Sequence, residues 1–239
     1  MKKIIQKFSL MAIAALILCG AVIYQTTAAI AADEKTQARE LVERSRISLH
    51  DLLTDSKMGV MRDLMKDAKG IFIVPQLLRG AYVIGASGGS GVFLSRGKDN
   101  NWTGPAFYTV GGASIGLQIG GDASEVVLLA MSNRGVAAFH SNNFKLGANA
   151  SVAAGPVGLG IGAQTANLSG DILSFSRAKG LYGGVSVQGS VVAARESMNT
   201  AFYGQKIQSP VEILVNPKVK NTQASALIDE VKKAARKKK

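Results

Sequence analysis

Reactive side chains are scarce in this chain. Its 239 residues include one cysteine, Cys19, and two histidines, His50 and His140. A lone cysteine forms no internal disulfide, and cysteine–histidine zinc chemistry lacks the ligands it needs. The 16 acidic residues form no cluster of the kind that cages calcium. Charged residues are 18% of the chain and hydrophobic ones 47%, which excludes global disorder. Aromatics are only 6%, and the basic C-terminal tail contains none to stack on bases, so nucleic acid is not an expected partner.

Glycine, by contrast, is abundant, with 27 residues. Two runs have the spacing of a hydrolase nucleophile elbow: Gly85-Ala86-Ser87-Gly88-Gly89 and Gly112-Ala113-Ser114-Ile115-Gly116. An elbow places its serine between a strand and a helix. Neither run is followed by a helix-forming segment, and neither histidine is placed to act as the base. The run "GLGIGA" at 158–163 resembles a dinucleotide fingerprint, but the loop-like "QTANLSGD" follows it. Asp122, Glu125 and Asp171 read as turn residues. The expectation is a protein with no catalytic residues, no cofactor and no metal.

The N-terminus, "MKKIIQKFSLMAIAALILCGAVIYQTTAAIAADEK", has lysines at 2, 3 and 7, an apolar run from Phe8 to Tyr24, and small residues around Ala29–Ala31. That layout predicts a signal peptide over 1–31, cleaved after Ala31 or Ala32. An uncleaved anchor is the alternative, because the run approaches the roughly 17 residues needed to span a bilayer. Charge is uneven downstream. Residues 33–69 carry eight charges of each sign, whereas six of the last eight residues, "KKAARKKK", are basic. An exported chain with this balance would meet anionic lipid or cell-wall polymer.

Apolar residues at Ala38, Leu41, Val42, Leu49, Leu52 and Leu53 recur at helical spacing. A shorter helix is expected over "SKMGVMRDLMKDAKG", with Met58, Met61, Leu64, Met65 and Ala68 inward. From Ile71 the sequence breaks into short apolar or alternating runs, among them "IFIVP", "GVFLS", "SEVVLLAMS" and "GVAAFHS", separated by Gly, Asn, Asp and Ser. These are β signals. "SPVEILVNPKV" reads as one late extended piece, and "ASALIDEVKKAARKKK" as a closing helix. The expected class is α+β: a Gly-rich, mainly antiparallel β domain, barrel or sandwich, with N-terminal amphipathic helices and a C-terminal helix.

Four stretches carry a family likeness: K-G-I-x-I-x-P from Lys69, "PAFYTVGGASIGLQIG", "SVAAGPVG", and S-x-S-x-x-K-G-L-Y-x-G-V-S-x-x-G-S from Ser174. Together they resemble the SYLF domain, a lipid-binding family also called the yeast actin-regulator domain, over roughly residues 38–205. The resemblance implies a non-enzymatic module that binds membrane phospholipid, phosphoinositide-type in eukaryotic relatives. Combined with the N-terminus, it leads to the expectation of a bacterial exported member located in the periplasm or cell envelope. Its expected partner is an anionic phospholipid membrane, with an envelope protein as a second candidate, and actin is not expected for an exported copy. The alternative is a structural envelope protein that binds other proteins or cell-wall polymers. The expected organisation is a signal peptide at 1–31, the SYLF-like domain at 33–210, and a basic C-terminal extension at 211–239.

Basic side chains beside apolar stretches are the candidate lipid contacts. They are Lys57, Arg62, Lys66 and Lys69 around the second helix, then Arg79, and Arg177 with Lys179 in "SFSRAKGLY". Leu77 and Leu78, read as part of a loop between Pro75 and Gly80, are the candidate apolar wedge.

Overall fold

The computed structural model describes residues 32–81, 84–115, 120–155, 170–178, 181–183, 187–204, 206–207 and 209–236. The expected signal peptide, Cys19, the 158–163 run and Lys179 lie outside them.

Helix α1 spans 32–54 and is followed by a 3-10 turn, Ser56–Met58, and α2, Gly59–Met65. Strands β1 (Gly70–Ala81), β2 (Ile84–Arg96), β3 (Trp102–Ile115) and β4 (Gly120–Ala130) come next. Then follow α3 (Asn133–Ala138), β5 (Asn143–Lys145), β6 (Val152–Ala154), β7 (Ile172–Ala178), β8 (Leu181–Gly183) and β9 (Val191–Ala194). Helices α4 (Glu196–Tyr203), α5 (Pro210–Val215) and α6 (Ser225–Ala234) close the chain. The strands form one curled sheet in the order β5-β9-β3-β2-β1-β4-β7-β6, with β8 beside β7. All the ladders are antiparallel except β6–β7. The α+β class, with a mainly antiparallel sheet and helices at both ends, is as expected.

Both faces of the central strands are buried, which explains why "IFIVP" and "VVLLA" are continuous apolar runs rather than alternating ones. Ile71, Ile73, Val92, Leu94, Phe107, Val127 and Leu129 point to one face, under α1, α2, α4 and α6. Phe72, Phe93, Ala106, Tyr108, Val126 and Leu128 point to the other, under α3 and α5. The methionine stripe is core: Met58, Met61 and Met65 are all buried. Helix α6 belongs to the same core through Leu227 and Val231.

Helix α1 straps the sheet. Its Glu34 accepts from Arg195, which follows β9, and its Asp51 accepts from Arg177 of β7. Those strands are five spacings apart, or roughly 24 Å at 4.8 Å each. Seventeen residues of helix at 1.5 Å rise give about 26 Å, so α1 matches the width it crosses.

Two segments differ from their sequence reading. "GVAAFHS" holds most of helix α3 instead of a strand, because the Ser132 hydroxyl accepts from the Gly135 N–H and caps the helix start. "SPVEILV" holds helix α5, opened by a Ser209–Glu212 capping box with Pro210 in the first turn. The Leu77–Leu78 pair lies in no loop but inside β1. The β1–β2 and β1–β4 registers both slip by one residue around Pro75. A proline cannot donate to a ladder, and a bulge accommodates it. Leu77 is consequently 2% exposed and in the core, and Leu78 is 53% exposed.

Candidate functional site: a basic cleft at one end of the sheet

Lys66 caps the C-terminal end of α2, and Asp67, Ala68 and Lys69 lead into β1. Two backbone bonds fix this junction. Lys69 N–H donates to Ala130 O at 2.8 Å, and Arg96 N–H donates to Lys69 O at 2.8 Å. The Arg96 guanidinium donates to Lys66 O at 2.9 Å and lies 6.0 Å from the Trp102 ring centroid. It thereby places a cation on carbonyls at a helix C-terminus, where the helix dipole favours positive charge. The β2–β3 turn is closed by Gly97 N–H donating to Asn101 O at 2.7 Å, with Asn100 left-handed at φ 59°. Lys98 is carried on that turn. From the other side, the last turn of α6 contributes Lys232, and Arg236 follows it.

These elements enclose a cleft of about 860 Å³. Its lining includes Lys66, Lys69, Arg96, Lys98, Lys232 and Arg236, against the single carboxylate of Asp67. Lys69 donates to Asn133 Oδ1 at 3.0 Å, and Lys66 pairs with Asp63 at 2.6 Å. A second hollow of about 680 Å³ adjoins it, sharing Lys66 and Arg236 and adding Arg62 and Lys233. There His50 Nδ1 and Glu230 Oε1, 3.0 Å apart, tie α1 to α6. A concentration of cations on a concave surface attracts a multiply charged anion.

The structure divides the candidate residues. Lys66 and Lys69 line the cleft. Arg62 borders the adjoining hollow but donates to Leu53 O at 3.1 Å and to Asp55 O, which closes the end of α1. Lys57 is exposed on the 3-10 turn nearby. Leu77 is buried in the core and cannot insert into a bilayer, whereas Leu78 is exposed. Leu78 and Arg79 stand in the far half of β1, away from the cleft. Arg177 is committed to ion pairs with Glu125 at 2.5 Å and Asp51 at 3.4 Å. Burial works against its charge, and the two carboxylates more than restore it, so its pKa is raised. Sequence reasoning missed Arg96 and Lys98, because no local pattern shows that a hairpin turn meets the end of α2. Lys232 and Arg236 were visible, but only as part of a basic tail.

The elbow serines stand within strands. Ser87 Oγ donates to Gly112 O at 3.4 Å, and Ser114 pairs with Gly85 in the β2–β3 ladder. Among the described residues no group of three or more His, Cys, Asp or Glu side chains could hold a metal, and no helix is long and apolar enough to cross a membrane.

The fold is thus a curled antiparallel sheet with a helical layer on each face and a cation-lined cleft at one end. Comparison with known proteins gives its family. Residues 111–234 match the family described as "Ysc84: Las17-binding protein actin regulator", and the chain belongs to that family. Protein YSC84 of Saccharomyces cerevisiae is 33% identical over 150 residues, covering 61% of this chain and 32% of the yeast protein. LAS seventeen-binding protein 3 from the same yeast is 34% identical over 146 residues, 59% of this chain and 32% of its own length. The human SH3 domain-containing YSC84-like protein 1 is 32% identical over 164 residues, 68% of this chain and 47% of its own. The chain thus spans about a third to about a half of the length of these relatives.

The family is a non-catalytic one, and the chain is not an enzyme. Other expectations are corrected. The matching relatives are yeast and mammalian proteins of an actin-regulator family. That overturns the assignment to a bacterial exported member, the periplasmic or cell-envelope location, and the envelope-protein alternative. It also overturns the view of actin as an unlikely partner.

Proposed function

We propose that this domain is the lipid-binding module of an actin regulator, docking on anionic phospholipid through the basic cleft. The observation that carries the proposal is the convergence of six cations, from α2, the β2–β3 turn and α6, around one cavity with a single carboxylate. Each basic group near an anionic surface contributes on the order of 1 kcal/mol, about fivefold in affinity. Attraction of this kind weakens as salt screens it. The names of the relatives, which specify Las17 binding and SH3 domains, favour an actin-regulatory protein as the partner met at that membrane.

The test is co-sedimentation of the full chain with phosphatidylcholine vesicles, with and without phosphatidylserine or a phosphatidylinositol phosphate. Lys69→Glu combined with Lys98→Glu should weaken binding to the anionic vesicles by tenfold or more and leave the melting temperature unchanged. Undiminished binding by this double variant would sink the cleft assignment. Co-sedimentation with actin filaments, with and without vesicles, tests the partner.

A further inference from the structure

We propose a second site, distinct from the basic cleft: the groove between α1 and the glycine-rich half of the sheet binds a long-chain carboxylate, that is, a fatty acid. The groove has a volume of about 670 Å³, inside the roughly 300–1,000 Å³ range of small-molecule sites. Leu41, Arg44, Ile47 and Ser48 of α1 form one wall, and Leu78 of β1 and Gly88 of β2 lie opposite. Leu78 is nine residues beyond Lys69 on β1, roughly 30 Å at strand rise. The two sites therefore lie towards opposite ends of the sheet.

Three independent features point to an amphiphile. First, Ile47 and Leu78, exposed by 47% and 53%, are two of the four exposed large hydrophobic residues among the described ones, and both line this groove. Second, Ser48 is 3% exposed, and its hydroxyl has no hydrogen-bond partner among the described residues. Buried hydroxyls are normally satisfied, so a donor left open in a groove wall suits an acceptor brought by a ligand. Third, the fold does not require Gly88 to be glycine. A Cβ there would meet nothing within 4 Å, whereas at Gly89 and Gly91 it would stand 2.5 and 2.6 Å from backbone oxygens. One use of glycine inside a strand is to admit a ligand close to the backbone, and on this groove wall the open position at Gly88 leaves that room.

The head of the ligand follows from charge. Arg44 is largely exposed at the rim, where its solvent-exposed ion pair with Glu40 at 3.6 Å is of the weak kind that yields to a competing carboxylate. Arg177, also in the lining, is already held by Glu125 and Asp51. The lining also includes Gln76, Ser90, Ser124 and the Glu125 carboxylate, which Arg177 neutralises. Leu41, Ile47 and Leu78 with a hydroxyl donor and one exposed guanidinium fit a single chain with a single negative charge, unlike the many cations of the cleft.

Isothermal titration calorimetry of the full chain with dodecanoate tests this, with dodecanol and lysophosphatidylcholine as comparison ligands. Saturable binding of one dodecanoate, at least tenfold tighter than dodecanol, is expected. Gly88→Leu, which fills the groove from an open position, should weaken dodecanoate at least tenfold, as should Leu78→Asp at a side chain already half in solvent. Arg44→Gln should erase the preference over dodecanol. The site is refuted by absence of saturable binding, by unchanged binding in both Gly88→Leu and Leu78→Asp, or by lysophosphatidylcholine binding as tightly as dodecanoate. None of these variants touches the basic cleft, so their failure leaves the vesicle experiment independent.

Discussion

Ser151 and Asp171 exchange three hydrogen bonds. The Ser151 N–H and hydroxyl donate to Asp171 Oδ2 at 3.0 and 2.9 Å, and the Asp171 N–H donates back to Ser151 Oγ at 2.9 Å. Asp171 Oδ1 accepts from the Ser132 hydroxyl at 2.5 Å. One carboxylate therefore ties the start of α3 to the parallel β6–β7 pair. A turn residue on sequence grounds, Asp171 is a junction in the fold. The Ser132 hydroxyl, then the Ser151 N–H, hold its pKa below the ordinary carboxylate value.

Asp171→Ala should cost about 2 kcal/mol, since it leaves several polar groups without their acceptor. The depressed pKa also sets a sign. The unfolded chain binds the proton more readily, so this contribution is complete above about pH 4 and disappears as pH falls through the native value. Urea denaturation across acid pH should show that loss in the unaltered chain and a flatter curve in the variant.

His140 works in the same direction at higher pH. Burial lowers its pKa from 6.5, and its Nε2 is buried without a partner among the described residues. The imidazole is neutral in the fold and takes up its proton on unfolding, so stability falls as pH drops below 6.5 towards the lowered native value. His140→Gln should remove this slope, measured by denaturation between neutral and mildly acidic pH.

Phe139 stacks on Phe93 with centroids 3.8 Å apart and meets Phe72, Tyr108 and Phe144 at 5.3, 5.5 and 4.7 Å. The buried Tyr108 hydroxyl donates to Phe139 O, and burial raises its pKa. Phe139→Ala should cost about 3–5 kcal/mol by opening a cavity in this cluster. Phe139→Leu should cost less, because it fills more of the space.

The strand glycines separate into two kinds. Gly91→Ala should destabilise by more than 1 kcal/mol or so, because its Cβ would stand 2.6 Å from Ile73 O. Gly80→Ala should be neutral or stabilising by about 0.5 kcal/mol, since the new methyl meets nothing within 4 Å and the unfolded chain loses freedom. Paired thermal melts decide it.

Much of the fold is written in local patterns. The stripe of α1, the Met58–Met61–Met65 face and the β-rich middle all follow from periodicity. Helix α5 was legible too, since Ser209-Pro210 with Glu212 three residues after the cap is a helix-start signature, yet the apolar "VEILV" invited a strand. "GVAAFHS" is harder. Its helical turn depends on Ser132 and on the distant Asp171 that holds Ser132. The cleft was half visible: Lys66 and Lys69 sit beside each other in sequence, while Arg96, Lys98 and Arg236 join them only through the sheet and α6. The paired arginines tell the same story, since Arg177 looked like a headgroup ligand until Glu125 and Asp51 met it.

The slip at Pro75 gives β1 two phases. Up to Val74, one set of alternate residues faces α1; beyond the extra residue, the opposite set does. Pairing β1 in unbroken register through Pro75, with no residue removed, would turn the distal half of the strand over, carrying Leu78 into the core and Leu77 out to the α1 side. The proline thus acts as punctuation that lets a single strand serve a two-sided core at one end and an open surface at the other.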